Sequence, residues 1–213
     1  MPAEIDVSLY AIVDEEFLRG RSAADLAADL AANGATIIQY RAKNLASREF
    51  LTRARAMRDA VAGRGVPLII NDRIDIALLC GASGVHVGLD DVPVAEARSL
   101  LGPRAVIGAS VRTGADALEA EEDGADYVGA GAVFPTSTKS DVPLIGLDGL
   151  REVRAGVKLP VVAIGGLTRK NAVQALATGV DGLAFISELM DAEDPGAAAT
   201  ELRAIIDAAK RRR

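Results

Sequence analysis

Short β-branched runs alternate with Ala- and Leu-rich stretches along almost the whole chain. The runs that read as strands are Leu9–Asp14, Thr36–Arg41, Leu68–Asp72, Gly84–Gly88, Val106–Val111, Tyr127–Val133, Val161–Gly166 and Gly182–Ser187. The stretches that read as helices are Ala23–Ala32, Ser47–Ala62, Ile74–Cys80, Val94–Leu101, Gly114–Glu122, Leu147–Ala155, Arg169–Ala177 and Gly196–Lys210. The strands are apolar along most of their length, as expected of strands covered on both faces. Short connections between them impose right-handed parallel crossovers. Ser22 and Ser47 are expected N-caps. Glycine follows a helix in Ala32-Asn-Gly-Ala35, Glu122-Asp-Gly-Ala125 and Thr178-Gly-Val-Asp181. Six strands could form an open sheet; eight in 213 residues favour closure. The expectation is a single-domain (β/α)8 TIM barrel over residues 9–209, close to the lower size limit of about 200 residues for this fold and so with short loops.

Composition narrows the function classes. The net charge of −6 argues against a nucleic-acid partner, because phosphate-backbone binding needs a basic face. The basic run Lys210-Arg211-Arg212-Arg213 reads as a solvated, frayed terminus. One cysteine, Cys80, excludes an intrachain disulfide, and its apolar neighbours suggest a buried thiol. No apolar run approaches the roughly 20 residues that span a bilayer, and no basic, apolar leader opens the chain. A soluble cytoplasmic protein is expected, with a homo-oligomer left open.

In such barrels the chemistry lies at the C-terminal ends of the strands, where most of the unusual polar residues fall. Gln39, Arg41 and Lys43 are spaced by two and share one face, while Ile38, Tyr40 and Ala42 take the other. Arg41 and Lys43 have no acidic partner within their own segment, so an anion such as phosphate is expected between them. An ion-pair network with carboxylates of neighbouring strands is the alternative. Asn71, Asp72 and Arg73 follow the third strand, and Asp90 and Asp91 the fourth. Asp72 and Asp91 could meet and bind Mg2+, or each could cap the next helix; spacing leaves both readings open. The stretch Phe134-Pro-Thr136-Ser-Thr138-Lys139-Ser140 after the sixth strand suits an anionic ligand. So do Gly165-Gly166 and Ile186-Ser187 at the last two strand ends, through close backbone approach. The sole histidine, His86, is expected inside the barrel as a hydrogen-bonded structural residue.

Taken together, Gln39-Tyr-Arg-Ala-Lys43, Ile69-Ile-Asn-Asp-Arg73, Gly84-Val-His-Val-Gly88 with Asp90-Asp91, Val133-Phe-Pro-Thr-Ser-Thr-Lys139 and Ala163-Ile-Gly-Gly-Leu167 resemble the successive motifs of the thiamine phosphate synthase family, in its order and spacing. The resemblance implies a transferase that couples an aminopyrimidine diphosphate to a thiazole phosphate and releases pyrophosphate. It implies that Gln39, Arg41, Lys43, Asn71, Ser110 and Lys139 hold the pyrimidine diphosphate, with Arg41, Lys43 and Lys139 meeting the leaving charge. Asp72 and Asp91 would bind Mg2+. Thr136, Thr138, Gly166, Ile186 and Ser187 would hold the thiazole phosphate. Two positions depart from the pattern: Leu89 stands where glutamine is common, and Ala132 where proline is.

Three rivals remain. A thiazole tautomerase of the same fold would need an acid/base group at the thiazole, and the only histidine is in the fourth strand. A phosphosugar isomerase or synthase would need only the glycine loop. A non-catalytic phosphate-binding barrel should show a broken charge set, whereas this set is complete.

Overall fold

The computed structural model describes residues 5–136 and 143–212. Its strands are β1 (Leu9–Asp14), β2 (Ile37–Arg41), β3 (Leu68–Asn71), β4 (Gly84–Val87), β5 (Val106–Val111), β6 (Tyr127–Ala130), β7 (Val161–Ala163) and β8 (Gly182–Phe185). They pair in parallel in sequence order, and β1 pairs with β8 to close the barrel. The helices are α1 (Ala23–Ala32), α2 (Ser47–Val61), α3 (Ile74–Cys80), α4 (Val94–Leu101), α5 (Gly114–Glu122), α6 (Gly146–Gly156), α7 (Ala172–Leu176), α8 (Ser187–Met190) and α9 (Pro195–Lys210). No described helix is long and apolar enough to cross a membrane.

Every residue of β1 is buried, which is why its sequence does not alternate in polarity. Leu9, Ala11 and Val13 join the outer layer between barrel and helices. Tyr10 and Ile12 face inward, against Ile37, Ile69, Tyr127 and Val162. The period-2 geometry of a strand makes this division. It places Tyr40 outward, edge-on to Phe50 of α2 at 5.1 Å, while Gln39 and Arg41 face in.

The expected strands run past the observed ladders at the rim. Asp72, Gly88, Ala132, Gly166 and Ser187 all lie beyond the last paired residue of their strands. Asp72 and Gly166 have left-handed φ of 61° and 63°, which no strand accommodates. Ser187 opens the short helix α8, which the sequence pattern did not reveal. Helix α7 starts at Ala172 rather than Arg169, because Thr168–Asn171 form a side-chain-closed turn. Ser22 caps α1 as expected. Ser47 does not cap α2: Ala46 occupies that position, and the Ser47 hydroxyl accepts from Arg73 instead. Gly34, Gly124 and Gly179 adopt the positive φ that the helix exits require.

Candidate active site

A cleft of about 350 Å³ opens at the C-terminal rim and reaches down into the barrel. Gln39, Arg41, Lys43, Asn71, Asp72, Asp91, Ser110, Thr136, Gly166, Ile186 and Ser187 all line it. Every described residue that the resemblance assigns to a substrate or to Mg2+ therefore lines one cavity. Thr138 and Lys139 lie outside the described residues.

The cations are held differently from the expectation of an anion-bridged pair. Arg41 pairs with Asp14, which ends β1 directly across the β1–β2 ladder and is fully buried. Lys43 pairs with Asp72. The ion-pair alternative thus describes the arrangement, since neighbouring strands supply the carboxylates that the segment lacks. One feature still points to an incoming acceptor: the Arg41 Nε is buried and makes no hydrogen bond among the described residues. An orphaned donor of this kind costs free energy until an acceptor arrives.

Asp72 and Asp91 do meet. The Asp72 carboxyl is raised above its usual range, first by burial and then by the Asp91 carboxyl against it, with Lys43 opposing. Neither residue caps a helix: the cap positions of α3 and α4 are Arg73 and Pro93, without side-chain capping bonds. The Asp72 N–H donates to the His86 carbonyl at 2.8 Å, and the Gly88 N–H donates to the Asp91 carboxylate at 2.8 Å. These bonds fix the Asp72 backbone to the end of β4 and the Asp91 carboxylate to Gly88 just beyond it. Two hard oxygen donors in contact fit Mg2+, which usually takes one or two carboxylates and completes its shell with water and substrate phosphate. No group of three His, Cys, Asp or Glu that could hold a metal occurs among the described residues.

Opposite, Gly165 and Gly166 carry φ of 95° and 63°. A Cβ on Gly166 would stand 2.4 Å from the Pro135 carbonyl oxygen, so only glycine lets the β7 loop pack on the β6 loop here. Asn171 locks the turn by donating to the Gly166 carbonyl at 2.9 Å and accepting from the Thr168 N–H at 2.8 Å. Ile186 and Ser187 close this end of the cleft at the start of α8.

The floor is a chain of hydrogen bonds. The Gln39 amide nitrogen donates to the Tyr10 hydroxyl at 2.8 Å, and Tyr10 and Tyr127 share a hydroxyl bond of 2.7 Å. His86 lies 3.1 Å from the Tyr127 hydroxyl through Nδ1 and 3.0 Å from Ser110 Oγ through Nε2. His86 is interior and hydrogen-bonded, as expected. Sequence reasoning missed Tyr10, Tyr127 and Asp14, and also Arg112, an exposed residue on the cleft wall just after β5. A lone aspartate ending an all-apolar strand was a signal for Asp14. Nothing in the local pattern marked the tyrosines, which read as ordinary core.

A profile of the thiamine monophosphate synthase family matches residues 9–189. The chain is 45% identical over 203 residues to the thiamine-phosphate synthase of Chloroflexus aurantiacus, covering 95% of this chain and 94% of that protein. The chain belongs to the thiamine monophosphate synthase family. The Albidiferax ferrireducens thiamine-phosphate synthase is 48% identical over 201 residues, 94% of this chain and 92% of its own. Among solved structures, the thiamine phosphate pyrophosphorylase of Pyrococcus furiosus superposes with a TM-score of 0.88 at 41% identity, covering 97% and 98% of the two chains. A 3-hexulose-6-phosphate synthase, at TM-score 0.67 and 20% identity, shares the fold alone. The family assignment covers the whole rim, from the Asp14 loop to Ser187.

Proposed function

We propose that the protein joins 4-amino-2-methyl-5-(diphosphooxymethyl)pyrimidine to 4-methyl-5-(2-phosphoethyl)thiazole, giving thiamine phosphate and pyrophosphate. The observation that carries this reading is the convergence of every described family motif on one cleft with two chemically different ends. One end has Arg41, Lys43 and the Asp72–Asp91 pair; the other has the glycine turn and Ser187. The proposed substrates each bring one phosphate-bearing arm.

The reaction breaks the bond between the pyrimidine methylene and its diphosphate oxygen, and the thiazole nitrogen's lone pair forms the new bond to that carbon. That nitrogen carries no proton, so no general base is required of the site. The protein's tasks are to receive the leaving charge and to align the nucleophile. Arg41, held from below by Asp14, offers its orphaned Nε and remaining guanidinium N–H groups to the diphosphate. Lys43 and Lys139 would add point charges, and Asn71 an amide donor. Mg2+ held by Asp72 and Asp91 would neutralise the diphosphate as a Lewis acid. Gln39 and Ser110 flank the pyrimidine ring. Thr136, Thr138, Gly166, Ile186 and Ser187 would fix the thiazole phosphate by hydroxyl and backbone donors. Phosphorylated small molecules are thus the partners, a cytoplasmic location suits such metabolites, and the acidic net charge suits no nucleic acid.

His86 is held through both ring nitrogens in the cleft floor, whereas a thiazole tautomerase needs an acid/base group at the thiazole. The deciding assay supplies both phosphorylated precursors with Mg2+ and follows pyrophosphate and coupled product together. Stoichiometric formation of both is expected. A folded protein that forms neither, or that isomerises the thiazole in a His86-dependent way, overturns the reading.

A further inference from the structure

The floor of the cleft links Gln39 on β2 to Ser110 on β5 through three side chains that touch no proposed phosphate. Its polarity follows from proton counting. The Gln39 amide nitrogen donates to Tyr10. Tyr10 and Tyr127 are both fully buried, and burial raises each phenol well above its usual range, so both keep their one proton. With its oxygen already accepting from Gln39, Tyr10 spends its proton on Tyr127. Tyr127 then spends its own on His86 Nδ1, at 3.1 Å. A neutral imidazole whose Nδ1 accepts must carry its proton on Nε2, and so donates to Ser110 Oγ at 3.0 Å. The Ser110 proton is thereby turned into the cleft, and so is the Gln39 carbonyl oxygen.

We propose that Tyr10, Tyr127 and His86 are positioning residues that fix Gln39 as an acceptor and Ser110 as a donor, and so select a ring bearing an amino group at one end and a bare ring nitrogen at the other. This rests on the reading that the aminopyrimidine occupies the cleft. A 4-aminopyrimidine has that pattern, with N1 lying across the ring from the amino-bearing carbon. A 4-oxopyrimidine offers a carbonyl where Gln39 also offers one, and is repelled. The relay also separates binding from chemistry. As diphosphate leaves, the ring gains positive charge and the amino N–H groups become stronger donors, so the bond to Gln39 strengthens in the transition state. The bond from Ser110 to the ring nitrogen weakens as that charge grows, and contributes to binding alone. Gly108 keeps the relay in place: a Cβ there would stand 2.1 Å from the Tyr127 ring and 2.6 Å from His86 Nδ1.

Because the chain has one histidine, nitrogen NMR of protein labelled in histidine reads a single imidazole. The expected spectrum shows Nε2 protonated and Nδ1 bare; the opposite tautomer overturns the assigned polarity. In steady-state assays, Tyr10→Phe, which removes the acceptor that orients Gln39, should lower kcat about tenfold with a smaller change in KM for the pyrimidine diphosphate. It should also narrow the preference for the 4-amino over the 4-oxo substrate. Unchanged kcat and preference in a folded Tyr10→Phe protein overturn the relay. Tyr127→Phe makes the matching test from the Ser110 end if Tyr10→Phe does not fold. The KM for the pyrimidine diphosphate should then rise with kcat nearly unchanged, and an unchanged KM overturns the relay. If the unaltered protein forms no coupled product, the functional reading fails, while the tautomer measurement still decides the polarity.

Discussion

Asp14 shows what one residue does beneath a charged site. Its carboxylate is wholly inside the barrel, and its partner Arg41 is mostly so, with 11% of the side chain exposed. Removing one member of such a pair strands the other in a medium of low polarity. Asp14→Ala should therefore lower stability by about 3–5 kcal/mol in urea denaturation. Adding Arg41→Met to the variant should recover much of that loss without restoring turnover. A loss below about 1 kcal/mol would place the pair in solvent. Asp72 behaves in the opposite sense. Its folded pKa is raised, so the folded protein binds that proton more tightly than the unfolded chain does. Its ionised form opposes folding at neutral pH, and its contribution improves as pH falls through the raised value. Mg2+ needs the ionised form, so metal affinity should weaken over the same acid range. Asn accepts the left-handed backbone at this position and removes the repulsion with Asp91. Asp72→Asn should then melt no lower than the parent, yet need about tenfold or more Mg2+ for half-maximal rate. Asp91→Asn should raise the Mg2+ requirement likewise. If either variant titrates with Mg2+ like the parent, that residue is not a ligand.

At the scale of elements, the barrel was legible because its two apolar faces and short connections leave few alternatives. Leu9–Asp14, Val106–Val111, Ile74–Cys80 and Gly114–Glu122 have the same ends in sequence and structure. The rim was less legible. Strand-like residues continue past the ladders at Gly165-Gly166 and Ile186-Ser187, and only three-dimensional packing decides where the chain turns away. Motif residues marked the cleft well, since charge and glycine stand out among apolar runs. The ion pairs inside it were hidden, because Asp14 and Arg41 are 27 residues apart and meet only once β1 and β2 align. The β7 loop gives the sharpest test at this scale. Gly166→Val puts a branched side chain at a φ of 63° and against the Pro135 carbonyl. The KM for the thiazole phosphate should rise several-fold while that for the pyrimidine diphosphate stays near the parent value. The reverse pattern in steady-state assays would exchange the ligands assigned to the two ends.

For the whole molecule, closure makes stability a shared property. Helix α9 lies outside the stretch matched by the family profile, yet it packs on α1, α7 and β1 and buries Ala199, Leu202 and Ile206. Without it the β8–β1 seam would meet water on its outer face. A chain ending at residue 190 should therefore lose the cooperative melt seen by circular dichroism, although every proposed site residue is retained. A cooperative transition in that truncated chain would show that α9 is dispensable.

The Lys210 ammonium donates to the Ser8 hydroxyl at 2.6 Å, which brings the last helix back to the foot of the first strand. Residues 8 and 210 thus stand side by side, on the side of the barrel away from the cleft. Closure of the eight strands does not depend on the chain opening at that point. A circular permutant whose old ends are joined by a short flexible bridge, and whose new ends open in the exposed glycine loop at residues 63–65, should keep the same eight-fold closure. It should also keep its turnover, because no rim segment is disturbed.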